Sequence, residues 1–254
     1  MRSQERVYLL DVEGTVTPIS LVTEQLFPYA RAHFEEFLEK YFAGEGVKAE
    51  VVQGRLAWDL QLLMTENLQE QEVEAPKILP ASAVTISTSV AIPRILAYVN
   101  WLMDRDRKST ALKSLQGKIW KIGFEEGKLK GTLFPDVPVA FARWAKLGRI
   151  AIYSSGSVEA QQLLFRHSTY GDLTPLIASY FDTRTGAKSE SASYSTIAAQ
   201  LQIRPAEVIF FSDVVRELDA AQGAGLQTRL VRREGNASVD DAHGHQIVET
   251  FEGI

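Results

Sequence analysis

The 254-residue chain has no cysteine. Disulfides, thiolate nucleophiles and zinc–thiolate centres are therefore excluded, and the composition suits a reducing compartment without requiring one. It also lacks any run of about 18 apolar residues that could span a membrane. The polar start, Met1 to Arg6, is followed by an apolar stretch too short for a signal peptide. A cytoplasmic location with no membrane partner is expected. Basic residues are not in excess: 27 Lys and Arg stand against 32 Asp and Glu, a net charge of −5. With no polybasic run and no basic excess, a nucleic-acid partner is not expected. Internal repeats and low-complexity tracts are absent as well.

What is present is ordinary for a soluble globular protein: 45% hydrophobic and 23% charged residues. The length allows one large domain, or a core with an insertion, and a monomer is expected. The patterning changes character twice. Residues near 7–11 read as a buried strand. From Val22 to about Phe124 the pattern is helical. Leu26, Phe27, Ala30, Phe34, Phe37, Leu38 and Tyr41 predict one helix, closed by Gly44 and Gly46. Val52, Leu56, Leu60 and Leu63 predict a second. Ala81 to Ser89 reads as a loop. Ile92 to Met103 predicts a third helix with Pro93 in its first turn, and Leu112, Leu115, Ile119 and Ile122 a fourth, capped by Ser109 or Thr110. After Pro135 helices and strands alternate, with strands at Arg149–Tyr153, Val208–Phe211 and Thr228–Val231 and a short strand or an extended entry to a loop at Tyr180–Asp182. This predicts an α/β fold: a doubly wound parallel sheet formed by residues 1–19 and 131–254, with a helical cap inserted at 20–130.

The chemistry is concentrated where the first strand stops. Leu9-Leu10-Asp11-Val12-Glu13-Gly14-Thr15 delivers two carboxylates, one residue apart, into a turn. One carboxylate can attack phosphorus while its neighbour handles protons, and a divalent cation can hold the pair. In an open parallel sheet ligands bind at the carboxyl ends of strands. Ser154 and Ser155 fall there, as does Asp213, and Lys188 lies in a loop just ahead of a helix. Three acids suit Mg²⁺, which prefers oxygen ligands. A hydroxyl, helix-start N–H groups and a lysine suit a phosphate.

Each of these residues also has a purely structural explanation. Ser154 or Ser155 would cap the following helix, Asp213 the helix starting at Val214, and Lys188 would be a solvated surface lysine. Glu217 would face solvent or steady Lys188, and His167 would complete a turn. The run Asp104-Arg105-Asp106-Arg107-Lys108 would be a solvated helix junction or face an anionic substrate. What favours chemistry is the joint pattern, all of it at strand ends.

That order resembles the haloacid dehalogenase superfamily, in which an aspartate nucleophile, a Ser/Thr motif, a loop lysine and a final acidic motif follow one another. The cap position resembles its helical C1 type. Glu13 departs from the second Asp usual among those phosphatases. The departure, together with Thr17-Pro18-Ile19, Asp106-Arg107-Lys108-Ser109-Thr110-Ala111-Leu112-Lys113, Tyr153-Ser154-Ser155-Gly156-Ser157-Val158-Glu159-Ala160-Gln161, His167-Ser168-Thr169 and Lys188-Ser189-Glu190-Ser191, resembles the enolase-phosphatase E1 (acireductone synthase) family of methionine salvage. The resemblance implies metal ligands at Asp11, Glu13 and Asp213, one Mg²⁺ per chain, and substrate contacts at Ser154, Ser155 and Lys188. It implies catalytic roles for Asp11, Glu13 and Lys188. The implied substrate is the small phosphorylated diketone 2,3-diketo-5-methylthiopentyl-1-phosphate, enolised first and then dephosphorylated through an aspartyl-phosphate on Asp11. Glu13, Lys188 or a cap residue would be the enolisation base, and hinges near Pro18 and Gly131 would let the cap close. A generic phosphatase, a proton-abstracting enzyme without a nucleophile, and a non-catalytic phosphate-binding module are the competing readings.

Overall fold

Six strands in the computed structural model form one parallel sheet: β1 (Arg6–Leu10), β2 (Gly148–Tyr153), β3 (Ile177–Phe181), β4 (Val208–Ser212), β5 (Gln227–Val231) and β6 (Gln246–Val248). The structure describes residues 6–43, 51–79, 88–239 and 244–254. The spatial order is β3-β2-β1-β4-β5-β6. β1 is therefore central, with Leu10 opposite Ile152 on one side and Phe211 on the other. The chain winds outward from β1 in both directions, so a crevice opens at the carboxyl ends where the winding reverses.

A parallel sheet must be covered on both faces, and alternate residues supply the two cores. Val7 and Leu9 of β1 join Tyr194 and Ile197 of α7 (Ser191–Gln200), Leu201 just after it, and Leu218 and Ala221 of α8 (Val215–Gly223). On the other face Tyr8 stacks on Trp144 of α5 (Asp136–Leu147), ring centroids 4.6 Å apart. Trp144 also meets Phe211 and Phe251, and Phe141 meets Phe165 of α6 (Val158–Arg166). Each of these rings is fully buried. Gly148 ends α5 and opens β2, its extended backbone lying against Arg6 where a Cβ would overlap the Arg6 carbonyl.

The chain divides into two compact units, Met1–Gln25 with Phe124–Ile254, and Leu26–Gly123. The second is helical: α1 (Phe27–Ala43), α2 (Val51–Gln69), α3 (Thr88–Asp104) and most of α4 (Thr110–Glu125). Ala30, Phe34 and Leu38 repeat every four residues on α1 and pack with Leu60, Leu63, Ile95, Val99, Leu115 and Ile119. Phe27 and Ile122, predicted on the apolar faces, are instead exposed at 39% each. A π-helical segment, Leu21–Leu26, precedes α1. Residues 81–87, read as a loop, and Gly44 and Gly46, read as the stop of α1, lie outside the described residues, as do the side chains of Val52 and Leu56. Because α3 begins at Thr88, within the predicted loop, Pro93 falls in the second turn rather than the first.

Ser109 caps α4, accepting from Leu112 N–H at 2.9 Å. The charged run 104–108 is a surface junction with partners inside its own unit. Arg107 bridges Glu70 and Glu72 at 2.8 and 2.5 Å, and Arg105 and Arg107 lie over the Trp101 ring. Among the described residues no helix is long and apolar enough to cross a membrane.

Candidate active site

Leu10 is the last strand residue of β1, so Asp11 is the first to leave the sheet. Its N–H still donates to Phe211 O at 2.9 Å, which fixes its backbone beside β4. The next residues form a tight turn. Thr15, Val16 and Thr17 all donate to Val12 O, and Gly14 donates to Thr17 O at 2.8 Å. Gly14 sits at φ +70°, where only glycine is unstrained. A Cβ there would overlap Asp213 Oδ2. The turn after β1 thus packs directly against the acid after β4.

The Asp11 side chain is only 8% exposed. Val12 N–H donates to its Oδ1 at 2.7 Å, and Lys188 Nζ reaches the same oxygen at 2.5 Å. Among the described residues no hydrogen bond or ion pair is made by Oδ2. One oxygen of this carboxylate is anchored and the other is available. Lys188 is also 2.6 Å from Glu217 Oε2, and Ser212 Oγ donates to that oxygen at 3.0 Å. Burial opposes the charge on Lys188, but Asp11 and Glu217 outweigh it and hold its pKa above the usual lysine value. Burial beside Asp11 raises the Glu217 pKa, with Lys188 pulling the other way.

Asp213 follows β4. Burial, with the Asp11 and Glu217 carboxylates nearby, pushes its carboxyl up to about 7. It does not cap α8, whose N-cap is Val214 with no side-chain bond; Ser212 Oγ accepts from Val214 N–H instead, at 3.1 Å. Freed from capping, Asp213 lies near enough to Asp11 and Glu217, which both pair with Lys188, for the charges of all three to act on it. This excess of negative charge fits a divalent cation. Among the described residues no three Asp, Glu, His or Cys side chains form a ready-made metal cage. The donor set therefore suits a hard ion that completes its shell with water.

Ser154 follows β2 and is buried, its Oγ accepting from Gly156 N–H at 3.1 Å. Ser155 is exposed. Neither caps α6, because Ser157 does so, accepting from Ala160 N–H at 3.2 Å. Gln161 holds the turn between them, donating to Gly156 O and Phe181 O at 2.8 and 2.9 Å. Ser154 leaves the sheet on the strand next to β1, but the structure gives it no bond to Asp11 or Lys188. Glu13 lies exposed on the turn. His167 is the C-cap of α6 and stacks against Phe124.

Two further residues shape the site and carried no sequence signal. Asn236 donates to Gly14 O at 2.9 Å, and Arg233 to Thr15 O at 3.3 Å. Arg233 lies 4.6 Å from the rings of both Phe134 and Phe251 and 2.9 Å from Asp136. They secure the outer side of the Asp11 turn from a loop more than 200 residues away. A surface hollow of about 430 Å³ opens beside Arg233, lined also by Phe134, Arg232, Glu234 and Glu249, and does not reach Asp11.

Residues 5–225 match the model of the haloacid dehalogenase-like hydrolases. An enolase-phosphatase E1 of Synechococcus elongatus is 52% identical over 233 residues, covering 91% of this chain and 90% of that one. The Drosophila melanogaster enolase-phosphatase E1 is 40% identical, covering all of this chain and 95% of its own. The crystal structure of the Saccharomyces cerevisiae UTR4 protein superposes with a TM-score of 0.73 at 32% identity, over 98% of this chain and all of that one. The anchored aspartate after β1, the lysine beside it and these similarities together place the chain in the enolase-phosphatase E1 family of haloacid dehalogenase-like hydrolases.

Proposed function

We propose that this protein is the bifunctional enolase-phosphatase of methionine salvage. It enolises 2,3-diketo-5-methylthiopentyl-1-phosphate and then releases phosphate to give the acireductone 1,2-dihydroxy-3-keto-5-methylthiopentene. The observation that carries the reading is the asymmetry of Asp11, whose Oδ1 is held by Lys188 and Val12 N–H while Oδ2 is unengaged. A nucleophile needs one oxygen fixed and the other aimed outward. Oδ2 attacks phosphorus, the P–O bond to the substrate breaks, and the departing oxygen carries away the electron pair. Water then cleaves the aspartyl-phosphate and regenerates the carboxylate.

Lys188 neutralises charge on the phosphoryl oxygens, without which an anionic carboxylate and an anionic ester would repel. Two carboxylates keep it protonated, so it acts as a cation and not as the enolisation base. Ser154, Ser155 and the N–H groups at the start of α6 receive the phosphate. Asp11, Glu13 and Asp213 would hold one Mg²⁺, with water completing its shell. When bound, the ion supplies positive charge to the phosphoryl group and to the substrate oxygen beside the enolised carbon. Residues 20–130 act as a cap that closes on the methylthio end and excludes water, moving about hinges near Pro18 and Gly131. The protein works in the cytoplasm as a monomer.

The test is to incubate the protein with the diketone phosphate and Mg²⁺ while following enol absorbance and free phosphate separately. The proposal requires an enol signal that rises before phosphate does. Phosphate release with no enol intermediate would leave a generic phosphatase standing. Turnover indifferent to EDTA would remove the metal assignment.

A further inference from the structure

We propose that Tyr153, Ser193 and Tyr194 are positioning residues for Lys188, clamping its loop by three consecutive peptide carbonyls. Tyr153 Oη donates to Gly186 O at 2.9 Å, Ser193 Oγ to Ala187 O at 2.7 Å, and Tyr194 Oη to Lys188 O at 2.7 Å. The donors come from two elements, the last residue of β2 and the first turn of α7. All three are buried, at 0%, 3% and 0% exposure. Loop carbonyls ordinarily turn to water, so three in succession met by buried hydroxyls is a built arrangement.

The loop's own backbone bonds are short-range. Thr185 N–H donates to Asp182 O, Gly186 to Thr183 O and Glu190 to Ala187 O. None of these ties it to β2 or to the body of α7; the hydroxyl of Tyr153 does the first and those of Ser193 and Tyr194 the second. Gly186 adopts φ +143°, and a Cβ there would overlap Ser193 Oγ, so the loop lies flush on its clamp. The rings behind the hydroxyls are fixed in turn. Tyr153 and Tyr194 meet edge to face at 5.6 Å, and Tyr194 lies 5.0 Å from Phe210.

A lysine side chain is long and freely rotating, and its ammonium follows whichever carboxylate is nearest. Fixing its main chain limits where Nζ can stand once Asp11 turns to phosphorus. The Tyr153 ring, its centroid 5.9 Å from Nζ, adds a weak attraction. Rate depends on such placement because a displacement of about 1 Å in a reacting group can cost up to a hundredfold.

This inference rests on the reading of Lys188 as the group that meets the phosphate. A double-mutant cycle with p-nitrophenyl phosphate as probe separates the two. Tyr194→Phe and Ser193→Ala keep the packing and remove one hydroxyl each. Each is expected to lower kcat roughly tenfold, with a smaller change in KM. In a Lys188→Ala background the same substitutions are expected to change kcat less than about twofold, because the residue they position is gone. Equal losses in both backgrounds would mark a structural role and overturn the proposal, as would no loss in the wild-type background. Should Tyr194→Phe fail to fold, Ser193→Ala and its restoration by Ser193→Thr carry the cycle. If Lys188→Ala alone leaves hydrolysis intact, the reading of the site fails first, and visibly.

Discussion

Gly14 and Asp213 pack so closely that the glycine's missing Cβ is the space the aspartate carboxylate occupies. Two turns, after β1 and after β4, are thereby locked together at the centre of the sheet. Gly14→Ala would force both a φ of +70° on alanine and a clash with Asp213. Destabilisation of about 2 kcal/mol is expected, with near-complete loss of phosphate release. Thermal denaturation and a phosphate assay measure the two effects; an unchanged melting point would contradict the packing.

Asp11→Asn should fold normally and lose at least about a thousandfold in phosphate release, since an amide oxygen is a poor nucleophile. The assay also distinguishes the two steps. If enol accumulates in this variant, enolisation does not use Asp11 as a nucleophile.

The metal-free protein should respond to pH through Asp213. Its carboxyl is held up to about 7 against an ordinary value of 3.8, mainly by burial and by Asp11. Between these values the folded state binds a proton that the unfolded state does not, so stability falls as pH rises from about 4 to 7. About 4 kcal/mol is the largest change to expect in EDTA, and Asp213→Asn should flatten it. Mg²⁺ affinity should rise over the same range, because the ion requires the deprotonated acid. Urea unfolding at several pH values, with and without Mg²⁺, tests both expectations.

Glu217→Gln leaves Lys188 with Asp11 as its one charged partner of the pair. The pKa of Lys188 should drop toward the ordinary lysine value, moving the alkaline limb of the kcat profile to lower pH. The stability this lysine contributes is present below its unfolded pKa and is lost as pH rises through its folded one, so that loss should also begin earlier. A profile identical to wild type would show that Glu217 does not set the charge of Lys188.

Trp144→Ala removes the ring that Tyr8, Phe211 and Phe251 share. A loss of about 3–5 kcal/mol is expected. Because this face lies opposite the Lys188 clamp, the folded fraction at low temperature should retain its kcat.

Much of the fold was readable because buried parallel strands are short apolar runs and helices repeat every three to four residues. Asp11, Ser154 and Asp213 stand out as candidates because a polar residue interrupts each apolar run where its strand ends, whereas Lys188, seven residues past β3, is marked only by its place ahead of α7. The differences have local causes. Pro93 lies one turn further into α3 than the apolar pattern predicts, because Thr88 and Ser89, weak helix formers, mask the start of the helix. The cap of α6 proved to be Ser157, since three serines in four positions offer no way to choose among them. Phe27 and Ile122 matched the helical period yet stayed exposed, because period alone does not set the width of a buried face.

By itself the order of residues along the chain determined the strand and helix alternation, the absence of thiol chemistry and the acids and lysine available for reaction. Those properties are local, set by side-chain identity within a few positions. Only the tertiary structure decided that Lys188 lies between Asp11 and Glu217, that Asp213 rests on Gly14, and that Tyr153, Ser193 and Tyr194 grip one loop. Such pairings join segments up to 200 residues apart. They arise because packing β2 and β4 against β1 brings their carboxyl ends within a few ångströms, a proximity that sequence spacing does not encode.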